Sequence, residues 1–239
     1  MNKIFLLALA ASTFMLVACG DDDSSFEGAK TAWDYLNPGI DYGEFTDARD
    51  GQHIQIYKTV EICNDGETSC QTWMAENLNY SVDPGERSWC GGGEKNKVSE
   101  GDCSKYGRLY TWTAAVGKTD ECGYGKVCDL PSGNVSGVCP EGWHLPSDDE
   151  WNTLFIAAGG IGIAGQKLKS NTNLWKQEEG ISNDDSFGFA ALPAGYRYYG
   201  EIFYKEGEKA YFWNSTEFSK DLAFSVRCVK NKISLYNRA

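Results

Sequence analysis

Residues 139 to 151, CPEGWHLPSDDEW, combine one histidine with four acids, three of them in a row at Asp148, Asp149 and Glu150, and such side chains act as general acids, general bases or metal ligands. Ser147 and Glu150 stand in the S-x-x-E relation of a capping box, in which each side chain accepts the other residue's backbone amide. The helix dipole also favours negative charge in a first turn. We therefore predict that these acids begin a helix and that His144 is a packed structural residue.

Cysteines are the second chemically reactive group, and the chain has nine. The first, Cys19, ends the sequence LVAC, which resembles the lipobox in which a lipoprotein cysteine is acylated. The other eight are an even number, which in an exported chain indicates disulfides, although many pairings are open. Zinc is the competing interpretation, and two histidines without any C-x-x-C spacing give it little support. The eight are Cys63, Cys70, Cys90, Cys103, Cys122, Cys128, Cys139 and Cys228.

The first residues, MNKIFLLALAASTFMLVAC, have the pattern of a targeting signal, which takes no part in the fold. Their apolar run is too short for a membrane helix, which needs about 20 such residues. We predict a lipoprotein signal peptide over residues 1–18, lipid attachment at Cys19, and an acidic tether and spacer over residues 19–42. The expected location is the outer membrane, facing either the periplasm or the cell surface. An ordinary cleaved signal is the alternative.

The charge balance excludes some partners. The chain has 34 acidic and 22 basic residues, and loss of Lys3 with the signal leaves a net charge of −13. This charge repels nucleic acids and anionic head groups, so no nucleic-acid partner is expected. The common nucleotide, hydrolase and metalloprotease motifs are missing from the sequence, so we predict no catalytic residue and no cofactor. Calcium at Asn183, Asp184 and Asp185 is the one metal alternative.

Aromatic side chains give the positive functional signal. Eight of the 18 residues from Tyr196 to Trp213 are aromatic, and several alternate with polar residues or glycine. Rings with a polar edge suit stacking on sugar faces or anchoring protein partners. Tyr198 and Tyr204 have polar or glycine-rich flanks, so we predict that they contact a ligand, and that Trp213 lies in the core.

Short elements must position these residues. Alternating apolar residues predict a strand over residues 54–63, and the turn signal NDG and the sequence CQTWM then predict a hairpin fastened by a Cys63–Cys70 disulfide. The apolar spacing in GRLYTWTAAVG predicts a short helix that ends at Gly117. Capping of the SDDEW helix predicts an apolar face that includes Trp151 and Phe155.

Strands dominate the second half of the predicted domain. Aromatic and polar residues alternate between glycines after residue 188, which is typical of short antiparallel strands. The sequence AFSVRCVK predicts a final strand with Phe224, Val226 and Cys228 on one face. Short helices followed by many strands indicate a single α+β domain over residues 43–239.

Six motifs occur in the order of a known family. The chain contains QTWMAENLNY, YGRLYTWTAA, CPEGWHLPSDDEWNTL, GFAALPAGYR, FWNSTE and FSVRCVK. Together they resemble the Fibrobacter succinogenes major paralogous domain, a family of exported bacterial proteins without a defined biochemical role. GWHLPSDDEW and the late SVRC are also similar to formylglycine-generating, sulfatase-modifying domains. That similarity implies a disulfide-stapled C-type lectin-like fold, with short helices packed on antiparallel sheets.

The resemblance also implies pairings and a function. It brings the cysteine before Gly-Trp near the terminal strand, so we predict a Cys139–Cys228 disulfide. Cys90 with Cys103 and Cys122 with Cys128 follow as nearest local partners. We expect a lipid-anchored, non-catalytic binding or adhesion module for a polysaccharide or a surface protein.

Two alternatives to that function remain. One is a structural surface or assembly component. The other is a formylglycine-generating-type oxidase, which depends on two reactive cysteines near the end of the chain, where only Cys228 lies. The family pattern has a further strand pair after the W-x-S-T-E motif, whereas only nine residues separate Glu217 from Arg227. Any ligand site built on that hairpin is therefore reduced.

Overall fold

Ten strands form two curled antiparallel sheets of five strands each in the described part of the chain, and four short helices pack against them. The computed structural model describes residues 30–49, 54–64, 66–67, 69–119, 122, 128–177, 180, 182–198, 202–216 and 221–232. The strands are β1 (Gly43–Asp47), β2 (Gln55–Cys63), β3 (Cys70–Met74), β4 (Ser88–Cys90), β5 (Arg108–Thr111), β6 (Trp143–His144), β7 (Tyr196–Tyr198), β8 (Ile202–Tyr204), β9 (Leu222–Ser225) and β10 (Val229–Lys230). The helices are α1 (Cys103–Tyr106), α2 (Trp112–Ala115), α3 (Asp148–Ala157) and α4 (Ile161–Leu168).

The first sheet has the strand order β1-β2-β3-β10-β6 and contains the predicted hairpin. β2 passes between two apolar clusters that lie on opposite faces of the sheet. Tyr57 packs into one cluster, and Val60 and Ile62 pack into the other. Ile56 shares the face of Val60 and Ile62 but is 38% exposed, although it belongs to the apolar alternation that predicted the strand.

The second sheet has the order β4-β5-β9-β7-β8 and includes a segment that the sequence predicted as helix. Arg108–Thr111 forms β5 and pairs with both β4 and β9, and only Trp112–Ala115 is helical. Thr111 ends the strand and caps α2, because its side chain accepts a hydrogen bond from the Ala114 amide. Pairing on both edges of β5 thus overrides the helical spacing of its apolar residues, and the prediction is wrong for that half.

The end of the chain crosses from one sheet to the other. Residues 222–225 form β9 in the second sheet, whereas Val229–Lys230 forms β10 in the first. The prediction of one continuous strand is therefore wrong. Val226, Arg227 and Cys228 lie between the two strands and are fully buried, so this crossing joins the two halves of the core.

Helix α3 begins as predicted. The Ser147 side chain accepts the Glu150 amide, and Glu150 accepts the Ser147 amide at 2.9 Å. The other Glu150 oxygen lies 2.7 Å from His144 Nε2, and His144 Nδ1 lies 2.7 Å from Asn231 Oδ1. Burial raises the pKa of Glu150, but the hydrogen bonds from His144 and Ser147 outweigh it and lower the pKa. His144 is 2% exposed, so it is packed inside the protein as predicted.

All eight cysteines after Cys19 are paired. The disulfides join Cys63 to Cys70, Cys90 to Cys103, Cys122 to Cys128 and Cys139 to Cys228. These are the predicted pairs. The last one spans 89 residues and fastens the segment before β6 to the chain crossing between the sheets.

The packed region begins before residue 43, the predicted domain start. A 3₁₀ turn covers Ala32–Tyr35, and the apolar side chains of Leu36, Ile40 and Tyr42 pack against the second apolar cluster. The second half of the predicted spacer is therefore part of the domain, because burial of these side chains anchors it. The signal peptide and Cys19 lie outside the described residues. No helix within the described ranges has the length and apolar character needed to span a membrane.

Candidate functional site

The tyrosines predicted from the sequence lie at the far edge of the second sheet. Tyr196 of β7 is directly opposite Tyr204 of β8, and Tyr198 is opposite Ile202. Side chains alternate between the faces of a strand, so Tyr196, Tyr198 and Tyr204 share one face. Phe203 points to the other face and is fully buried in the core.

Four rings make contact on the outer face. The ring centroids of Tyr196 and Tyr204 are 5.4 Å apart in a stacked arrangement, and Tyr198 meets Tyr204 edge-on at 6.5 Å. Tyr211 meets Tyr196 edge-on at 5.2 Å. We call these four residues the aromatic surface. Tyr198 is 45% exposed and the other three are partly exposed, so the rings form one continuous patch.

A glycine allows the two strands of this surface to approach each other. Gly195 precedes β7 with a φ of +66°, a conformation that side-chain-bearing residues rarely adopt. A Cβ atom at this position would lie 2.2 Å from the Tyr204 carbonyl oxygen. Gly195, the second glycine of GFAALPAGYR, therefore allows Tyr196 to lie next to Tyr204.

The charges beside the aromatic surface are already paired. Lys205 Nζ lies 2.8 Å from Glu208, and Lys95 Nζ lies 3.4 Å from the same carboxylate. The hydrogen bond between Lys205 and Glu208 raises the pKa of Lys205 and lowers the pKa of Glu208. Burial, followed by the neighbouring tyrosines, raises the pKa of Tyr196. The phenol is therefore neutral at physiological pH, and the surface suits an uncharged, hydroxyl-rich ligand.

A groove of about 470 Å³ adjoins the aromatic surface at Tyr211. Trp151 and Phe155 of α3 form one wall, and Tyr211 and Phe212 form the other. The Trp151 and Phe212 ring centroids are 5.5 Å apart. The sequence assigned Trp151 and Phe155 to the core face of α3. Both pack against the second apolar cluster, which confirms that prediction, and both also line the groove, whereas Leu154 on the same helix is fully buried.

Polar side chains stand at the rim of the groove. Asp148 and Asn152 of α3 and Asn214 of the opposite wall all line it. The Asp148 carboxylate accepts hydrogen bonds from Asn214 Nδ2 and, at 2.9 Å, from Thr216 Oγ1. Aromatic walls with a few polar groups at the rim are typical of small-molecule sites, and the volume lies within their usual range. Helical spacing could place Trp151 beside Phe155, but it could not show which wall faces them.

Two other predicted residues have clear positions. Trp213 is 1% exposed and donates a hydrogen bond from Nε1 to the Tyr110 carbonyl at 2.7 Å, which confirms its place in the core. In the suggested calcium set, the Asp184 carboxylate is engaged by Lys167 Nζ at 2.6 Å and by Ser186. Asp185 is fully buried and accepts the Ala190 amide at 2.8 Å.

Metal ligands are sparse elsewhere. The residues that the structure describes contain no group of three or more histidine, cysteine, aspartate or glutamate side chains able to hold a metal ion. The neighbouring side chains of Asp184 and Asp185 bind different groups of the same chain, Asp184 at the surface and Asp185 in the interior. The calcium site at Asn183, Asp184 and Asp185 stays a prediction.

Sequence reasoning missed a buried charged centre around Arg227. This side chain is 1% exposed and donates hydrogen bonds to Asn77 Oδ1 and to the carbonyls of Met74, Phe189 and Ala190. We call Arg227, Glu76 and Asp185 the buried charged centre. An arginine inside the apolar run FSVRCV was the available signal, because buried charges need partners.

Electrostatics couple the members of this centre. Burial lowers the pKa of Arg227 to about 9, and the charges of Glu76 and Asp185 oppose that shift. Burial also raises the pKa of Glu76, and it raises the pKa of Asp185 to about 7. Glu76 Oε1 accepts both the Lys58 amide at 2.6 Å and Trp33 Nε1 at 2.7 Å, so this oxygen is used inside the protein. The centre is enclosed, and its role is structural.

The comparisons with known proteins place the chain in one family. Searches of curated proteins and of solved structures each found no match. The Fibrobacter succinogenes major domain matches residues 67–230, which include both the aromatic surface and the buried charged centre. That range covers more than half of the chain and agrees with the ordered motifs. The chain belongs to the Fibrobacter succinogenes major domain family.

Proposed function

We propose that the protein is an exported, non-catalytic binding module that holds a carbohydrate chain on its aromatic surface. The observation that carries this proposal is the continuity of Tyr196, Tyr198, Tyr204 and Tyr211 on one outward sheet face. Contiguous exposed rings are unusual unless a partner covers them. Scattered rings would have favoured a purely structural role.

The chemistry of binding follows from the rings. The apolar C–H face of a pyranose stacks on a tyrosine ring, and the phenol hydroxyl exchanges hydrogen bonds with sugar hydroxyls. The paired charges at Lys205 and Glu208 leave no free charge among them to select an ionic ligand. The groove beyond Tyr211 offers further aromatic walls and the amide of Asn152. A chain of several sugar units could therefore run from the surface into the groove.

We also propose how the protein is anchored to the membrane and which fold family its domain belongs to. Acylation of Cys19 after the signal LVAC would attach the protein to the outer membrane, with its partner on the periplasmic side or at the cell surface. We place the domain among C-type lectin-like folds. Support comes from the short helices on two curled antiparallel sheets and from the Cys139–Cys228 bridge at the terminal segment.

A surface protein is the alternative ligand for the outward tyrosines.

An oxidase would need a different thiol chemistry. A formylglycine-generating-type reaction depends on reactive late cysteines, and Cys228 is joined to Cys139. No catalytic residue is assigned, and a structural surface component is the remaining alternative.

A polysaccharide screen tests the proposed function. The purified full chain is run through native gels that contain cellulose derivatives, xylan, mannan, chitin derivatives or starch, and retardation is measured. We expect retardation by at least one of them. The matched variant carries Tyr198→Ala and Tyr204→Ala and should be retarded clearly less than the wild type in the same gel. No retardation by any polysaccharide would refute the proposal and favour the structural component.

A further inference from the structure

A second cavity lies on another part of the molecule, away from the aromatic surface. It encloses about 320 Å³ and is lined by residues of β1, β2 and β5 and by the segment after β3. Its volume is at the lower end of ligand pockets, which suits a single small molecule. The lining residues used below are Asp47, Gln55, Tyr57, Asn79, Ser81 and Arg108.

Arg108 is the unusual member of this cavity. It stands in β5 and is half-buried, and its Nε atom is buried without a hydrogen-bond partner. No hydrogen bond or ion pair engages its side chain among the residues that the structure describes. A buried donor without a partner destabilises the protein, and the cost is larger when the group is charged. A ligand that accepts from this guanidinium would remove that cost.

The charges around the cavity leave Arg108 uncompensated. Asp47 is the acid in its wall, but both Asp47 oxygens are occupied by Arg49, at 2.9 Å from Nε and 2.7 Å from Nη2. Arg49 also donates to the Val138 carbonyl at 2.7 Å. The pair is therefore complete, and Arg108 gives this cavity a net positive charge within an acidic protein.

Neutral polar groups complete the lining. The Asn79 side-chain oxygen is buried without a partner. The Tyr57 hydroxyl accepts a hydrogen bond from the backbone N–H of Asn79 at 2.8 Å, so its own proton is available for donation to a ligand. Gln55 and Ser81 add further donors and acceptors. These groups match hydroxyls, whereas Arg108 matches a carboxylate, because a guanidinium binds planar anions through two parallel hydrogen bonds.

We propose that this cavity binds a small monocarboxylate, with a single sugar-acid ring as the best fit. The carboxylate pairs with Arg108, and the ring hydroxyls meet Asn79 and Tyr57. This site is independent of the aromatic surface, which holds an uncharged chain.

Matched small ligands test the proposal by isothermal titration of the purified full chain. D-glucuronate and D-glucose share a ring and differ in the carboxylate, and acetate carries the carboxylate alone. We expect glucuronate to bind about tenfold or more tightly than glucose. Equal binding of acetate would support the carboxylate site and assign it to simple acids. Equal binding of glucose, or no binding of either acid, would overturn the proposal.

Variants locate the site. Arg108→Met should weaken glucuronate binding about tenfold or more, and Asn79→Asp should do the same because its new carboxylate pairs with Arg108. Lys176→Met removes an exposed positive charge outside the cavity and should leave binding unchanged. Thermal melting checks that each variant folds. Unchanged glucuronate affinity in a folded Arg108→Met protein would contradict the assignment, whatever the polysaccharide screen shows.

Discussion

The buried charged centre and the aromatic surface use polar side chains in opposite ways. The Arg227 guanidinium donates all its hydrogen bonds inside the protein, to backbone carbonyls and to the side chain of Asn77. On the aromatic surface, Tyr198 is 45% exposed and Tyr196 and Tyr204 are partly exposed. Both regions lie within the matched family domain.

This difference separates stability from binding. The enclosed Arg227, whose three nitrogens all have hydrogen-bond partners, holds the chain crossing in place, and its removal should damage the fold. Rings that are half-exposed contribute less to the core and retain surface for a ligand. Changes in the first region should therefore act on the free energy of unfolding, and changes in the second should act on affinity.

The largest expected effect on the buried side comes from the long disulfide beside Arg227. On the chain-entropy account, loss of the Cys139–Cys228 bridge by Ser substitution at both positions lowers the free energy of unfolding by about 4 to 5 kcal/mol. Denaturant unfolding measures it. The matched control replaces Cys63 and Cys70, whose separation is only seven residues, and should cost about half as much. If both variants lost the same free energy of unfolding, the length of the loop that each disulfide closes would not explain the effect.

Arg227→Met should cost about 3 to 5 kcal/mol. The change removes four hydrogen bonds and leaves Glu76 and Asp185 buried without a positive neighbour. Chemical denaturation gives the free energy of unfolding. A loss of less than about 1 kcal/mol, the scale of an ordinary surface change, would show that the centre is not structural.

Asp185 should make stability depend on pH. Burial raises its folded-state pKa to about 7, whereas the unfolded value is about 3.9. The folded protein holds this proton more tightly, so the stability from Asp185 is fully present below about pH 4 and is lost as the pH rises to about 7. We expect a decrease of about 1 to 3 kcal/mol across that window.

Asp185→Asn should flatten this pH dependence, and unfolding curves at several pH values measure it. Asp184→Asn is the matched control, because Asp184 is exposed and its hydrogen bonds to Lys167 and Ser186 lower its pKa. The control should keep the wild-type slope. A slope that Asp185→Asn leaves unchanged would assign the titration to another group.

Local signals predicted much of the fold. The capping box at Ser147, the Cys63–Cys70 hairpin and the four disulfides were all available from residue types and spacing, together with the family resemblance. Two predictions failed where long-range pairing decides the outcome. β5 has helical spacing but is held between two strands, and the last strand divides because its ends pair in different sheets.

The candidate site was predictable only in part. Their polar or glycine-rich flanks indicated Tyr198 and Tyr204 as ligand contacts, and the structure brings the two rings together on one face. The groove could not be predicted, because its walls come from α3 and from a segment some 60 residues later. The unpaired Arg108 was equally hidden, since a missing partner becomes visible only once the surrounding side chains have positions.

The affinity of the aromatic surface is the most direct test of its proposed role. Tyr198→Ala with Tyr204→Ala removes two rings and should weaken binding of the retained polysaccharide about tenfold or more, since each stacked ring contributes roughly 0.5 to 1.5 kcal/mol. Tyr198→Phe with Tyr204→Phe keeps the rings and should stay close to wild type. Both variants should melt like the wild type. Wild-type affinity in the alanine variant would contradict the account.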